Sequence, residues 1–101
     1  MKNETVDVLV IGAGPAGTVA ASIINKAGFK VKIVEKLRFP RFVIGESLLP
    51  RCMDALEEAG FLEAVKEKGF QEKFGAKFVK NGRICDYFFA RFMLYQRIMF
   101  Q

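Results

Sequence analysis

The run Gly12-Ala13-Gly14-Pro15-Ala16-Gly17 sets three glycines at the spacing G-x-G-x-x-G, a spacing suited to holding a dinucleotide's pyrophosphate. Main-chain N–H groups bind that anion only at close range, and a Cβ keeps the chain away. Here Gly12 permits a tight turn, Gly14 lets the backbone approach the phosphates, and Gly17 lets a helix pack closely on a sheet; Ala13, Pro15 and Ala16 complete the loop. The first turn of such a helix adds free N–H groups and a positive partial charge. Glu35 follows about 20 residues later, where a carboxylate accepts hydrogen bonds from adenosine ribose hydroxyls and repels the 2'-phosphate of NADP. Lys36, beside it, is grouped with the same cofactor contacts. Both FAD and NAD use this arrangement.

These residues need a strand, a helix and a second strand to position them. Val6 to Ile11 is a short, largely β-branched run ending at a glycine, expected as a parallel strand buried on both faces. Thr18 to Ala27 carries Val19, Ala20, Ile23, Ile24 and Ala27 at helical spacing, with Gly28 as a stop signal. Val31 to Glu35 reads as the second parallel strand, which makes a right-handed βαβ unit. From Lys36 to Glu46 the chain is irregular, broken by Pro40 and Gly45.

Ser47 is then placed to cap a helix that includes Pro50, runs to about Ala59, and turns Leu49, Met53 and Leu56 inward before Gly60. A shorter helix is expected from Leu62 to about Lys68, before Gly69. Asn81-Gly82 is a strong two-residue hairpin signal. It joins Phe74 to Lys80, with Phe74, Ala76 and Phe78 on one face, to a returning strand from Arg83 to about Phe89. Arg91 to Gln101 shows neither capping nor periodicity. The expected fold class is α/β, a Rossmann-like unit with added helices and a β-hairpin. Residues 1–90 are expected to form the N-terminal part of a cofactor-binding domain, and 91–101 an atypical tail.

Composition narrows the function classes. The chain has 101 residues, 51% hydrophobic and 27% charged, with a net charge of +5. That is enough apolar material for a core. The basic residues are interspersed with acids and form no like-charge run, so nucleic acid is not expected as a partner, and the excess helps hold an anionic cofactor. Cys52 and Cys85 form no CxxC pair and there is no histidine, so no metal site is expected. The apolar run before Gly12 is too short for a signal peptide or a membrane span, and cytoplasmic placement with reduced thiols is expected.

The segment Phe39-Pro40-Arg41-Phe42-Val43-Ile44-Gly45-Glu46-Ser47-Leu48-Leu49-Pro50 is more specific than the glycines. It resembles the stretch that follows the βαβ unit in flavin-dependent halogenases and halogenase-like FAD oxidoreductases, a branch of the aromatic-hydroxylase and geranylgeranyl-reductase superfamily. The resemblance covers roughly Val6 to Phe89 and implies FAD as the cofactor. It also implies a strap passing over the flavin, with Arg41, Gly45, Glu46 and Ser47 near it. Lys73, within Phe70-Gln71-Glu72-Lys73-Phe74-Gly75-Ala76-Lys77-Phe78, matches the halogenases' catalytic lysine, which orients or captures hypohalous acid; Lys77 falls on an exposed face of its strand.

One departure stands out: the chain has no tryptophan, whereas halogenases carry a Gly-Trp-x-Trp-x-Ile-Pro motif soon after the hairpin. The expectation is a truncated or frameshifted end. On this reading the chain is the FAD-binding portion of a monooxygenase-like or halogenase-like oxidoreductase, without turnover alone. The parent enzyme would draw electrons from NAD(P)H or a flavin reductase. Two alternatives stay open on the residues: an NAD-binding dehydrogenase fragment, and a non-catalytic remnant or interaction module. Uncovered strand edges in so short a sheet also predict self-association.

Overall fold

The computed structural model describes residues 3–44, 47–88 and 99–100. Its element order is β1 (Val8–Ile11), α1 (Pro15–Lys26), β2 (Val31–Val34), α2 (Cys52–Ala59), α3 (Leu62–Glu67), β3 (Glu72–Lys73), β4 (Gly75–Lys80), β5 (Arg83–Phe88) and β6 (Met99–Phe100). β1 and β2 pair in parallel, Val8 opposite Val31 and Ile11 opposite Val34, with α1 as the crossover. This is the expected α/β unit. Helix α1 starts at Pro15, earlier than Thr18, because proline at the first helical position lacks only an N–H that would have no partner there.

β1 departs from its expected burial on both faces. Val8 and Val10 are half-buried, whereas Leu9 is 53% and Ile11 83% exposed. Side chains alternate across a strand, and among the described residues helix α1 packs on one face of this sheet while the other stays open.

The described core lies between the helices, where Met53 and Leu56 of α2 are buried against Val19, Leu48, Cys52, Phe61, Leu62 and Val65. Helix α1 is tied to the end of α2 by two side chains. Ser22 Oγ donates to the Ala59 carbonyl at 2.8 Å and Lys26 Nζ donates to the Glu58 carbonyl at 3.2 Å. These are among the last carbonyls of α2, which have no partner within the helix.

Two expectations around α2 are corrected. Ser47 is not its cap: the helix begins at Cys52, with Arg51 in the cap position and no side-chain hydrogen bond there. The Ser47 hydroxyl lies too far back along the chain and is taken by Lys73. Leu49, expected inward, is 55% exposed, because it precedes the helix rather than sharing its buried face.

β4 and β5 form the expected hairpin, Lys80 opposite Arg83 and Gly75 opposite Phe88. Asn81 and Gly82 both take positive φ, 51° and 74°, as a type I′ turn requires. Phe74 falls outside β4, and both Phe74 and Phe78 are exposed, so the predicted aromatic face is uncovered. At the far end, where the residue pattern predicts no regular structure, Met99–Phe100 pairs antiparallel with Glu72–Lys73. The remainder of the tail, 91–98 and 101, lies outside the described residues. No helix among the described residues is long and apolar enough to cross a membrane.

Candidate cofactor site

The site begins where β1 ends. Gly12 turns the chain with φ +108°, a conformation that L side chains rarely adopt. Its N–H donates to the Val34 carbonyl at 2.7 Å, which anchors the turn to β2. Gly14 occupies the position before α1 in extended conformation, φ −73° and ψ −177°, and gives the helix no side-chain cap. No acidic residue stands in the first turn. The N–H groups of Ala16 and Gly17 therefore point out of α1 without intrahelical partners and with the positive end of its dipole behind them.

Gly17 is the tightest position: a Cβ there would stand 2.1 Å from the Gly12 carbonyl oxygen and 3.2 Å from Val10 Cγ1. A Cβ at Gly14 would meet only Arg41 Nη2, at 3.7 Å. Gly17 thus serves the approach of helix to turn, while the space above Gly14 stays open.

Glu35 follows β2 and faces the same turn. Its carboxylate accepts from the Leu37 N–H at 3.0 Å and the Ala13 N–H at 3.2 Å. Arg41 Nη2 lies 3.7 Å away. The Leu37 and Ala13 hydrogen bonds, in that order, hold the carboxyl below its ordinary value of 4.5, with a smaller contribution from Arg41. A depressed carboxylate stabilises the folded chain fully above the ordinary value, and this contribution is lost as pH falls through the lower folded-state value. Melting temperatures of wild type and Glu35→Gln should therefore differ most at neutral pH, with wild type higher, and converge on acidification through the carboxylate range. A gap that widens on acidification would contradict this assignment.

Arg41 brings the strap to the turn. Its guanidinium lies over the Phe39 ring, 5.1 Å from the centroid, an arrangement that favours a cation on an aromatic face. Its Nε is buried and has no hydrogen-bond partner. Its Nη2, 3.7 Å from the position a Gly14 Cβ would take, is the atom within reach of an anion bound beside Gly14. Ile11, Gly12, Val34, Glu35, Lys36, Leu37 and Arg41 line a cleft of about 570 Å³. It opens at the carboxyl ends of parallel strands, where doubly wound sheets bind ligands.

The structure thus assembles Gly12 to Gly17, Glu35, Lys36 and Arg41 in one place. Ser47 and Lys73 form a second group, Lys73 Nζ donating to Ser47 Oγ at 2.6 Å. Gly45 and Glu46 lie outside the described residues. Lys77 pairs across the hairpin with Asp86 at 3.7 Å. Phe39, the platform for Arg41, and the Leu37 N–H are site groups that the sequence reasoning misses. An aromatic residue two positions from a strap arginine is a signal for the first; a main-chain donor leaves none. Among the described residues no group of three or more His, Cys, Asp or Glu is placed to hold a metal ion.

A family model described as FAD binding domain matches residues 5–97. Flavin-dependent halogenase armH3 of Armillaria mellea is 49% identical over 75 residues, covering 74% of this chain and 15% of its own length. Among solved structures, a flavoprotein/dehydrogenase from Cytophaga hutchinsonii superposes with a TM-score of 0.83 at 69% identity, covering 95% of this chain and 24% of that one. The myxobacterial chondrochloren halogenase CndH gives a TM-score of 0.82 at 32% identity, covering 98% of this chain and 24% of that one.

Proposed function

Because this chain belongs to the FAD-binding domain family shared by flavin-dependent halogenases and monooxygenases, we propose that its glycine turn, Glu35 and Arg41 hold the adenosine diphosphate half of FAD. The observation that carries this reading is the bare N-terminus of α1, with no acidic residue in its first turn and Arg41 Nη2 3.7 Å from the point a Gly14 Cβ would occupy. The Ala16 and Gly17 N–H groups receive the pyrophosphate, Arg41 a phosphate oxygen, and Glu35 the ribose hydroxyls. Lys36 borders the cleft as a further cation.

When bound, the flavin supplies the redox chemistry, accepting hydride and passing electrons to oxygen or a substrate. Lys73 is the candidate catalytic residue, a compact ammonium donor suited to an oxidised halide or oxygen species. Gly45, Glu46 and Ser47 belong to the strap over the cofactor. The chain spans between 13% and 19% of the length of curated relatives it matches, 15% for armH3. Halogenation or hydroxylation is therefore proposed for a longer parent enzyme, with NAD(P)H or a flavin reductase as electron source, in the cytoplasm. The open face of β1 and β2, with Leu9, Ile11 and Val34 exposed, supports self-association of the chain alone.

Titration of the chain with FAD, followed by flavin fluorescence, tests the reading. Wild type should bind FAD in preference to NADH. Arg41→Ala should weaken FAD by about tenfold, the loss expected for one charged hydrogen-bonding partner. Preference for NADH, or equal FAD affinity in Arg41→Ala, would overturn it.

A further inference from the structure

Arg41 lies in an irregular stretch of backbone, so its guanidinium is placed by what the side chain touches. A long, flexible cation loses rotamer entropy when it is held still, and a contact must offset that loss. By charge the nearest candidate is Glu35, yet Arg41 Nη2 stops 3.7 Å from its Oε1, beyond hydrogen-bond range. Opposite charges at that separation attract, and a shift of less than an ångström would join them in a hydrogen-bonded pair. Phe39, two positions before Arg41, supplies a second attraction. Arg41 Cζ lies over its ring, 5.1 Å from the centroid, within the range at which an aromatic face holds a cation.

The open gap decides what each charge has to offer. Glu35 Oε1 accepts from the Ala13 N–H and Oε2 from the Leu37 N–H, so each carboxylate oxygen keeps room for a further donor. Arg41 Nη2 stands 3.7 Å from the point a Gly14 Cβ would occupy. Closure of the pair would turn guanidinium N–H groups onto the carboxylate. The acceptor for a ribose and the donor for a phosphate would then be lost together.

We propose that Phe39 is a positioning residue: its ring holds the Arg41 guanidinium off Glu35 and so keeps both the anion donor and the hydroxyl acceptor of the cleft free. The consequence for FAD rests on the proposal that the cofactor binds at this cleft; the separation of the two charges does not. Phe39 is 57% exposed, so its replacement disturbs little packing. Leucine keeps apolar bulk without an aromatic face, and tyrosine keeps the face.

Carbon-13 NMR of the Glu35 side-chain carboxyl, titrated with acid in the full chain without FAD, tests the separation. In Phe39→Leu the guanidinium closes on the carboxylate, so the Glu35 midpoint should fall below that of wild type. Phe39→Tyr should keep the wild-type midpoint, and in an Arg41→Ala background Phe39→Leu should change nothing. A midpoint in Phe39→Leu that stays level or rises would overturn the proposal. Fluorescence titration with FAD then reads the consequence. Phe39→Leu should weaken binding about threefold, the size of an exposed cation–aromatic contact, and Phe39→Tyr should retain it. With Arg41 already replaced by alanine, Phe39→Leu should cost no further affinity. A threefold loss that persists in that background would overturn the positioning role, since the ring would then act on the cofactor directly. If wild type fails to bind FAD, the cofactor assignment fails, and the carboxyl titration still decides whether Phe39 separates the charges.

Discussion

Replacing Gly14 by valine is expected to lower FAD affinity by about 100-fold or more while leaving the chain folded, since unmet contacts to a charged group cost about 3 kcal/mol. The backbone at Gly14 is extended, with φ −73°, so any residue adopts it. The nearest obstacle to a Cβ is the mobile end of Arg41 at 3.7 Å, an ordinary contact. Valine is a poorer residue than glycine before a helix, which costs about 1 kcal/mol. The branched side chain would instead fill the space above the turn where the pyrophosphate must lie. Fluorescence titration and a thermal melt on the same preparation separate the two effects, and unchanged affinity with an unchanged melt would overturn the assignment of the turn.

Gly17→Ala should show the opposite pattern, a loss of the fold itself. Judged as a helix residue, alanine is favoured over glycine by about 1 kcal/mol. The added methyl, however, would stand 2.1 Å from the Gly12 carbonyl oxygen and 3.2 Å from both the Gly12 carbonyl carbon and Val10 Cγ1. Backbone cannot yield as a flexible side chain does, so α1 must lift from β1 and the turn must open. The expected net cost is about 3 kcal/mol or more, the upper range for overpacking, and a large share of the roughly 5–15 kcal/mol that stabilises an ordinary domain. Urea unfolding measures it, and a midpoint that rises, as helix propensity alone would dictate, would refute the close approach.

These paired substitutions separate what is legible in the amino-acid sequence from what depends on distant packing. The glycine roles, the parallel strand pair and the Asn81-Gly82 hairpin are local: each follows from conformations that a few adjacent residues can or cannot adopt. Glu35 is legible because the βαβ unit has a nearly constant length. The strap is legible as a resemblance, but its contacts are not. Whether Ser47 caps a helix or receives Lys73 depends on where β3 lies, and no spacing within 47–50 records that. Likewise Leu9 and Ile11 have the composition of buried strand residues, yet their burial depends on an element to cover them.

The sparse core has a thermodynamic consequence. Ala21, Met53, Leu56 and Ala59 are the buried hydrophobic residues among those described, so unfolding exposes little new apolar surface. Such a chain should show a shallow denaturant slope and a small heat-capacity increment. Against so flat a stability curve, ligand binding weighs heavily: FAD at 100 times its dissociation constant adds about 2.7 kcal/mol by mass action. The cofactor then acts as a missing piece of the interior, and the folded population of this chain becomes a readout of flavin supply.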